Sequence, residues 1–193
     1  AQFPEGFEGT FPPQGWASFI GENGIGTTRN WTTSPVAYSG TQAAFVRWQN
    51  VTGGLAQDWL VTPQFTPSAE EGYILKFMQR QQFFTTYDAS YYIYVSTGSQ
   101  ETISDFFEID TQTESDFSVN YSLKEVDLSA YIGIPIYVAF VHENDNDDSW
   151  YIDDIDLVGS NPTDTVDEIF SCNTSIYDSG GANGNYANNE NNV

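Results

Sequence analysis

Positive charge is scarce in this sequence. Five Lys and Arg residues stand against 27 Asp and Glu residues in a chain of 193, so the formal net charge is −22. Binding to nucleic acid requires basic side chains that neutralise phosphates, and binding to anionic lipid requires them too. No stretch reaches the roughly 20 apolar residues of a membrane-spanning helix. We therefore expect no nucleic-acid partner and no membrane insertion.

Cysteine and histidine each occur once. Cys172 has no intramolecular disulfide partner in this chain, so either its partner lies beyond Val193 or the protein works where thiols matter little. His142 belongs to no Ser–His–Asp series and to no His–Glu–x–x–His motif. We therefore predict that this chain is not an enzyme, although a longer parent protein can carry a catalytic domain.

Aromatic residues, in contrast, make up 16% of the chain. Short apolar or alternating runs are separated by Gly, Pro and Asn turns, and helical periodicity is absent. This pattern predicts an all-β fold, a sandwich or barrel of antiparallel strands, and argues against a parallel sheet. The predicted strands cover residues 43–48, 58–63, 73–80, 91–96, 125–128, 134–142 and 151–158.

The strand pattern ends close to Ser160. We predict one domain over residues 1–159 and a polar, acidic linker over 160–171. Residues 172–193 are rich in Asn, Gly and Ser and offer too little apolar surface for a core. They are therefore predicted to be a polar C-terminal extension or the start of another domain.

Eight short motifs follow one another in a distinctive order between residues 5 and 158. They are Phe7-Glu8-Gly9 with Phe11-Pro12-Pro13-Gln14-Gly15-Trp16, Asn30-Trp31, Asp58-Trp59-Leu60-Val61-Thr62-Pro63, Leu75-Lys76-Phe77, Tyr92-Ile93-Tyr94-Val95-Ser96-Thr97-Gly98, Val126-Asp127-Leu128-Ser129-Ala130-Tyr131, Tyr137-Val138-Ala139-Phe140 and Trp150-Tyr151-Ile152-Asp153-Asp154-Ile155. The series resembles the cleaved adhesin domain of gingipain haemagglutinin regions, also called the choice-of-anchor J domain, a relative of the MAM domain.

This resemblance implies a jelly-roll β-sandwich with structural Ca²⁺. It also implies a secreted or cell-surface protein of a Bacteroidetes-like bacterium, exported by the type IX route. Asp164-Thr165-Val166 looks like the O-glycosylation site of secreted proteins from that group, which makes Thr165 a candidate for modification.

The C-terminal residues resemble a second family. Cys172, Tyr177-Asp178-Ser179-Gly180-Gly181 and Gly184-Asn185-Tyr186 are similar to the opening of a CUB domain. In that family the first Cys pairs with a later one, which would lie past the end of this chain. The resemblance therefore implies that residues 172–193 are the N-terminal fragment of a CUB-like domain.

Acidic residues are concentrated between His142 and Asp156, where seven carboxylates occur in fifteen residues. So many like charges destabilise a fold unless a cation lies among them, and Ca²⁺ with about 6–8 oxygen ligands suits such a cluster. Strand alternation predicts Asp153 on the same face as Ile155 and Leu157, pointing inward, where it needs a metal or an arginine. The alternative is a solvated acidic loop, with Asp153 bonded to backbone amides.

We predict one Ca²⁺ near the first and last strands, and a second ion in the loop from Glu143 to Asp148. The resemblance adds Glu8, which it places on the first strand, to the ligands of the first ion. The candidate metal ligands are Glu8, Asp58, Asp145, Asp147, Asp153 and Asp154. Asp58 can also cap a turn, and we favour that interpretation.

The aromatic stretch Phe83–Tyr92 is predicted to be a loop. Rings beside Asp, Gln and Asn form the usual platform for sugar stacking, which makes Tyr87, Tyr91 and Trp150 candidate ligand-binding residues. The alternative is that these rings are packing anchors.

These observations predict a non-catalytic, calcium-stabilised adhesion or targeting module. The alternative is a carbohydrate-binding module appended to a secreted hydrolase or protease. The expected partners are a surface glycan or a host or matrix protein, other domains of the parent chain, and the secretion machinery.

Overall fold

The computed structural model describes residues 3–26, 28–85 and 87–159. The predicted linker 160–171 and CUB-like fragment 172–193, with Thr165 and Cys172, lie outside the described residues. Ten strands are present in the described part: β1 Ala17–Ile20, β2 Thr32–Ser34, β3 Ala43–Val46, β4 Ala56–Val61, β5 Ile74–Gln81, β6 Ser90–Ser96, β7 Phe106–Thr113, β8 Ser122–Asp127, β9 Tyr137–Asn144 and β10 Trp150–Val158. Two short 3-10 helices cover Ile103–Asp105 and Ser129–Tyr131.

The strands form two antiparallel sheets of five strands each. The first sheet has the order β1-β4-β9-β6-β7, and the second has the order β2-β3-β10-β5-β8. Six of the eight neighbouring pairs join strands that are not consecutive in the chain, as they do in a jelly roll. The predicted all-β, antiparallel sandwich is confirmed.

The sandwich core lies between the two sheets. Leu60, Ile93 and Phe140 from the first sheet meet Phe77 and Trp150 from the second, and all five side chains are essentially inaccessible to solvent. Burying one such side chain contributes about 1.5–3 kcal/mol, so this core dominates the stability of the fold.

The N-terminal segment runs beside the last strand. The N–H of Glu5 donates to the carbonyl of Ile155, and the N–H of Ile155 donates back to Glu5. Glu8 follows this single bridge and lies outside any strand, so its predicted place on a first strand is wrong. The described part of the chain contains no helix with the length and apolarity needed to cross a bilayer.

Candidate functional site

Apolar residues cover both faces of the first sheet. Leu60, Tyr91, Ile93 and Phe140 point into the core, and the residues that alternate with them point outward. The outward residues form a second apolar cluster that contains no residue of the second sheet. The cluster consists of Ala17, Phe19, Trp59, Val61, Tyr92, Tyr94, Ile103, Phe106, Tyr137, Ala139 and Val141. Its six rings, those of Phe19, Trp59, Tyr92, Tyr94, Phe106 and Tyr137, are called the aromatic face below.

Trp59 lies at the centre of the aromatic face. Its ring stacks on Phe19 at 5.8 Å between centroids with an interplanar angle of 10°, and it contacts Tyr94 at 5.2 Å and Phe106 at 5.4 Å. Trp59 is only 3% exposed, whereas Phe19, Tyr92, Tyr94 and Tyr137 are half-buried. The tryptophan therefore supports the outer rings, and these rings form the accessible surface.

Polar groups border the aromatic face on β4, β7 and β9. The side-chain amide of Gln57 donates to the carboxylate of Glu143. Burial raises the pKa of Tyr92, and the charges of Glu143 and Glu108 raise it further. Burial and the same two charges raise the pKa of Tyr94 to about 12. Both phenols therefore stay neutral at physiological pH and keep a proton to donate.

The carboxylates predicted near the first and last strands bind a single loop. Glu8 accepts hydrogen bonds from the backbone N–H and hydroxyl of Thr41 and from the N–H of Gln42. Asp153 accepts from the N–H groups of Tyr38 and Ser39 at 2.8 and 3.2 Å. The hydroxyl of Ser39 donates to Asp154 at 2.8 Å. Glu8, Asp153 and Asp154 thus lie along the segment 38–42, although Glu8 and Asp153 are 145 positions apart in the sequence.

The predicted inward orientation of Asp153 is wrong, because the last strand does not alternate regularly. Trp150 and Ile152 face the core before Asp153, and Ile155 faces it after Asp154. The register against β5 shifts between Asp153 and Asp156, and Asp154 has a left-handed backbone with φ 48°. Asp153 therefore alternates with Trp150 and Ile152 and points away from the core, and the bulge returns Ile155 to the core side. The side chain is still buried, and it accepts hydrogen bonds from the backbone N–H groups of Tyr38, Ser39 and Asp154.

Both aspartates of the bulge face the N-terminal segment at Gly6. A Cβ atom built on Gly6 would lie 3.3 Å from Oδ1 of Asp154 and 4.0 Å from Oδ1 of Asp153. Among the described residues, no three His, Cys, Asp or Glu side chains converge as metal ligands. A cation beside Gly6 would thus need backbone carbonyl or water oxygens to complete the coordination by Asp153 and Asp154.

Asp58 does not lie with these residues. It is the third residue of β4 and points into the sandwich, so the favoured turn-cap interpretation is wrong. The side-chain amide of Asn144 donates to Oδ2 of Asp58 at 3.4 Å, and Oδ1 has no partner among the described residues. Burial raises the pKa of Asp58 to about 7. The opposite residue, His142, is also fully buried, and burial lowers its pKa to about 3.

Asp145 and Asp147 form a turn between β9 and β10. Asp145 accepts from the N–H of Val51, and Asp147 accepts from the N–H of Asp145. Burial raises the pKa of Asp147 to about 6, and the nearby charges of Glu114, Asp145 and Asp88 add to this rise. The predicted second ion in this loop stays a prediction.

Two of the three predicted sugar-binding rings are core residues. Tyr91 and Trp150 are fully buried and contact each other with centroids 5.2 Å apart, so neither can stack on a ligand. Tyr91 belongs to β6, which begins at Ser90. The predicted loop therefore ends at Ala89 and does not extend to Tyr92. Tyr87 is 41% exposed and remains a candidate.

The aromatic face itself was missed, although the sequence contains a signal for it. Strands of a two-layer sandwich are expected to alternate apolar and polar residues. Tyr91-Tyr92-Ile93-Tyr94-Val95 and Tyr137-Val138-Ala139-Phe140-Val141 are apolar at every position. Such runs on neighbouring antiparallel strands indicate that the outer face is apolar as well.

Comparison with solved structures identifies the fold. The K2 cleaved adhesin domain of Lys-gingipain matches with a TM-score of 0.62 at 19% identity, covering 80% of this chain and 98% of that domain. The K3 domain of Lys-gingipain from Porphyromonas gingivalis matches with a TM-score of 0.58 at 21% identity, covering 74% and 90%. The chain has the cleaved adhesin fold. The predicted resemblance is thereby confirmed at the level of structure.

A carbohydrate-binding protein has a related fold. TmCBM61, solved in complex with β-1,4-galactotriose, matches with a TM-score of 0.50 at 17% identity, covering 80% of this chain and 94% of that one. No protein-family model matches the sequence, and no curated protein matches it significantly. The cleaved adhesin fold is therefore recognised here from three-dimensional structure.

Proposed function

We propose that this cleaved adhesin-like domain is a non-catalytic module that binds a neutral glycan on the aromatic face. The observation that carries the proposal is the second apolar cluster on the outer side of the first sheet. Contiguous apolar surface outside the core of a soluble domain marks an interaction site. Here that surface consists mainly of aromatic rings, with polar groups along its border.

The chemistry of the aromatic face suits a pyranose chain. The C–H face of a sugar ring packs against an aromatic ring, while its hydroxyls need donors and acceptors at the side. Tyr92 and Tyr94 supply rings with neutral hydroxyl donors, and Gln57 and Glu143 supply an amide and a carboxylate next to them. Glu108 and Glu143 make the border negative, which favours neutral over acidic sugars.

The fold similarity supports a binding role over a catalytic one. The matching structures include adhesin domains and a carbohydrate-binding module in complex with a galactotriose. His142, the only histidine, is fully buried and faces the core, so it cannot exchange protons with a glycan on the outer face. Because of the similarity to the adhesin domains, we also propose that the module belongs to a secreted or cell-surface protein of the gingipain type.

We also propose that one Ca²⁺ stabilises the domain beside Gly6. Asp153 and Asp154 both present Oδ1 to that position, and the donors there are oxygens, the ligand type that Ca²⁺ prefers. Bound there, the ion would neutralise two adjacent carboxylates and link the N-terminal segment to β10. Glu8 would act from the other end of the segment 38–42, which it holds through Thr41.

A glycan array with the full chain tests the binding proposal. The array should contain neutral β-linked oligosaccharides, including β-1,4-galactotriose, and acidic chains of similar length. We expect the signal to come from neutral chains and to fall severalfold, up to about tenfold, in Tyr94→Ala, because a lost stacking contact weakens binding by an amount of this order.

Two further variants serve as comparisons. Tyr38→Ala removes a ring that is 53% exposed in the loop between β2 and β3, and it should leave the signal from neutral chains unchanged. Tyr87→Ala tests the loop residue that the sequence indicated. Binding that survives Tyr94→Ala and is lost in Tyr87→Ala would place the site on the loop and refute the aromatic face as the binding surface.

A further inference from the structure

A row of rings with one guanidinium crosses the outer face of the second sheet. Tyr151 on β10 pairs with Phe45 on one side and with Arg80 on the other. The rings of Phe45 and Tyr151 lie 4.5 Å apart between centroids. Cζ of Arg80 lies 5.1 Å from the ring of Tyr151 and 5.9 Å from that of Tyr121. Together with Tyr38, which contacts Tyr121 at 5.6 Å, these residues are called the arginine row.

Arg80 is held in place without a carboxylate partner. Its Nε–H donates to the carbonyl of Gln81 at 3.0 Å, and the two tyrosine rings flank the guanidinium. The ion pairs among the described residues are Lys76–Asp156 and Lys124–Asp110, and neither involves an arginine. In a chain with 27 acidic residues, an arginine that is fixed but unpaired keeps its terminal N–H groups free for another anion.

Two of the acidic residues near the arginine row, Asp148 and Asp153, accept hydrogen bonds from backbone amides. Asp148 accepts hydrogen bonds from the N–H groups of Gln82, Phe83 and Ser149. Asp153 accepts from the N–H groups of Tyr38, Ser39 and Asp154. Backbone amides therefore hold both carboxylates outside ion-pair distance of Arg80.

The surface around Arg80 contains further binding groups. Tyr38 is 53% exposed at one end of the arginine row, and its ring offers an open face. Arg47 is exposed, and its charge, like that of Arg80, opposes the rise that burial causes in the pKa of Tyr151. Both guanidiniums thus lie near Tyr151, and they offset part of the negative charge that Asp148, Asp153 and Asp154 place beside the arginine row.

We propose that the arginine row binds a sugar that carries a carboxylate, with Arg80 receiving the carboxylate and Tyr38 stacking on the pyranose ring. A planar guanidinium forms two parallel hydrogen bonds to a carboxylate, which an ammonium group cannot do. The net charge of −22 repels a polyanion, so the expected ligand is a single acidic sugar in an otherwise neutral chain. This site lies on the opposite sheet from the aromatic face and does not depend on it.

The test is an NMR titration of the ¹⁵N-labelled full chain with two matched probes. One probe is a β-linked trisaccharide whose only charged unit is a terminal glucuronic acid, and the other is the same chain ending in glucose. We expect the acidic probe to shift the backbone amides of Arg80, Tyr121 and Tyr151 and the neutral probe to leave them unchanged. Raising the salt concentration from 0.05 to about 0.5 M should weaken this binding, because the charges lie at the surface.

Three variants complete the design. Arg80→Gln should weaken binding of the acidic probe about tenfold or more, and Arg80→Lys should weaken it severalfold because it keeps the charge and loses the planar fork. Arg29→Gln removes one exposed positive charge outside the arginine row and should have no effect. If Arg80→Gln fails to fold in a thermal melt, Tyr38→Ala replaces it, with a severalfold loss expected.

Several results would overturn the proposal. They are equal shifts with both probes, unchanged binding in Arg80→Gln, and a similar loss in Arg29→Gln. A short glutamate-containing peptide that displaces the acidic probe at equal concentration would also overturn it, since the site would then recognise any carboxylate. Amide shifts at Trp59 and Tyr94 report the aromatic face separately, so the failure of either site can be recognised on its own.

Discussion

Asp58 and His142 should give opposite pH dependences of stability that cancel in the wild type. The two residues face each other across β4 and β9, and neither is exposed. Burial raises the pKa of Asp58 from 3.8 to about 7, so the folded state keeps a proton that the unfolded state has lost. Burial lowers the pKa of His142 from 6.5 to about 3, so the folded state lacks a proton that the unfolded state holds.

The signs follow from proton linkage. Between about pH 4 and 7, the Asp58 contribution to the free energy of unfolding falls as pH rises, because unfolding releases a proton. Between about pH 3 and 6.5, the His142 contribution grows as pH rises, because unfolding takes up a proton. Each contribution changes by about 1.4 kcal/mol per pH unit. From pH 4 to 6.5 the two therefore nearly offset each other.

Removing one of the two buried groups should reveal the pH dependence of stability that the other one causes. Relative to the wild type, Asp58→Asn should gain stability as pH rises from 4 to 7, by about 4 kcal/mol in total, which is the raised pKa expressed as a free energy. His142→Gln should show the opposite trend, losing about 1.4 kcal/mol per pH unit relative to the wild type up to pH 6.5. Other buried acids such as Asp148 and Asp153 are shared by all variants and drop out of these differences.

Urea denaturation of each variant at half-unit steps from pH 4 to 7 measures these free energies. Glu70→Gln, which changes an exposed acid, is the matched control and should follow the wild type. Curves for Asp58→Asn and His142→Gln that run parallel to the wild type would refute the reasoning, because they would mean that neither buried group changes its proton affinity on folding.

Two further predictions concern the carboxylates at the N-terminal segment. Saturating Ca²⁺ at about a thousand times its Kd should add about 4 kcal/mol to the free energy of unfolding, and Asp154→Asn should abolish most of this gain. Thermal melts with Ca²⁺ and with EDTA measure it, and identical melts would exclude the ion. Gly40→Ala should destabilise the domain more than Gly53→Ala, because both glycines have left-handed backbones but only the Cβ at position 40, 2.2 Å from Oε1 of Glu8, would displace that carboxylate from Thr41. Equal unfolding free energies for these two variants would show that Glu8 does not hold the segment 38–42.

The interior strands of the fold could be predicted from the sequence, whereas three of the four edge strands could not. The seven predicted strands correspond to β3, β4, β5, β6, β8, β9 and β10. The three that were missed, β1, β2 and β7, are all edge strands. An edge strand has one neighbour and fewer buried positions, so its composition is less constrained. Thr32-Thr33-Ser34 on β2, for example, contains no apolar residue at all.

Irregular backbone accounts for the errors at the candidate site. The bulge at Asp153 and Asp154 reverses the face of every residue on one side of it, and nothing in the alternation of the sequence marks its position. The partners of Asp153, Tyr38 and Ser39, are more than 110 residues away in the chain. The sequence could therefore indicate that this acid needs partners without indicating that backbone amides provide them.

The aromatic face shows a different limit. Four of its six rings belong to the eight ordered motifs of the sequence: Trp59, Tyr92, Tyr94 and Tyr137. Strand pairing decides which of the two apolar faces of a strand points outward. It places Trp59 on the same side of the sheet as Phe19 and Tyr94. Composition shows that such rings are abundant, and only the topology brings them together.

The most direct test of the glycan-binding proposal is a crystal structure of the full chain soaked with β-1,4-galactotriose. A second crystal is soaked with the neutral chain that gives the strongest array signal. The proposal predicts pyranose rings packed on Tyr92 and Tyr94, with sugar hydroxyls bonded to Gln57 or Glu143. A sugar bound only on the loop around Tyr87, or density for no sugar on the first sheet at saturating concentration, would contradict it.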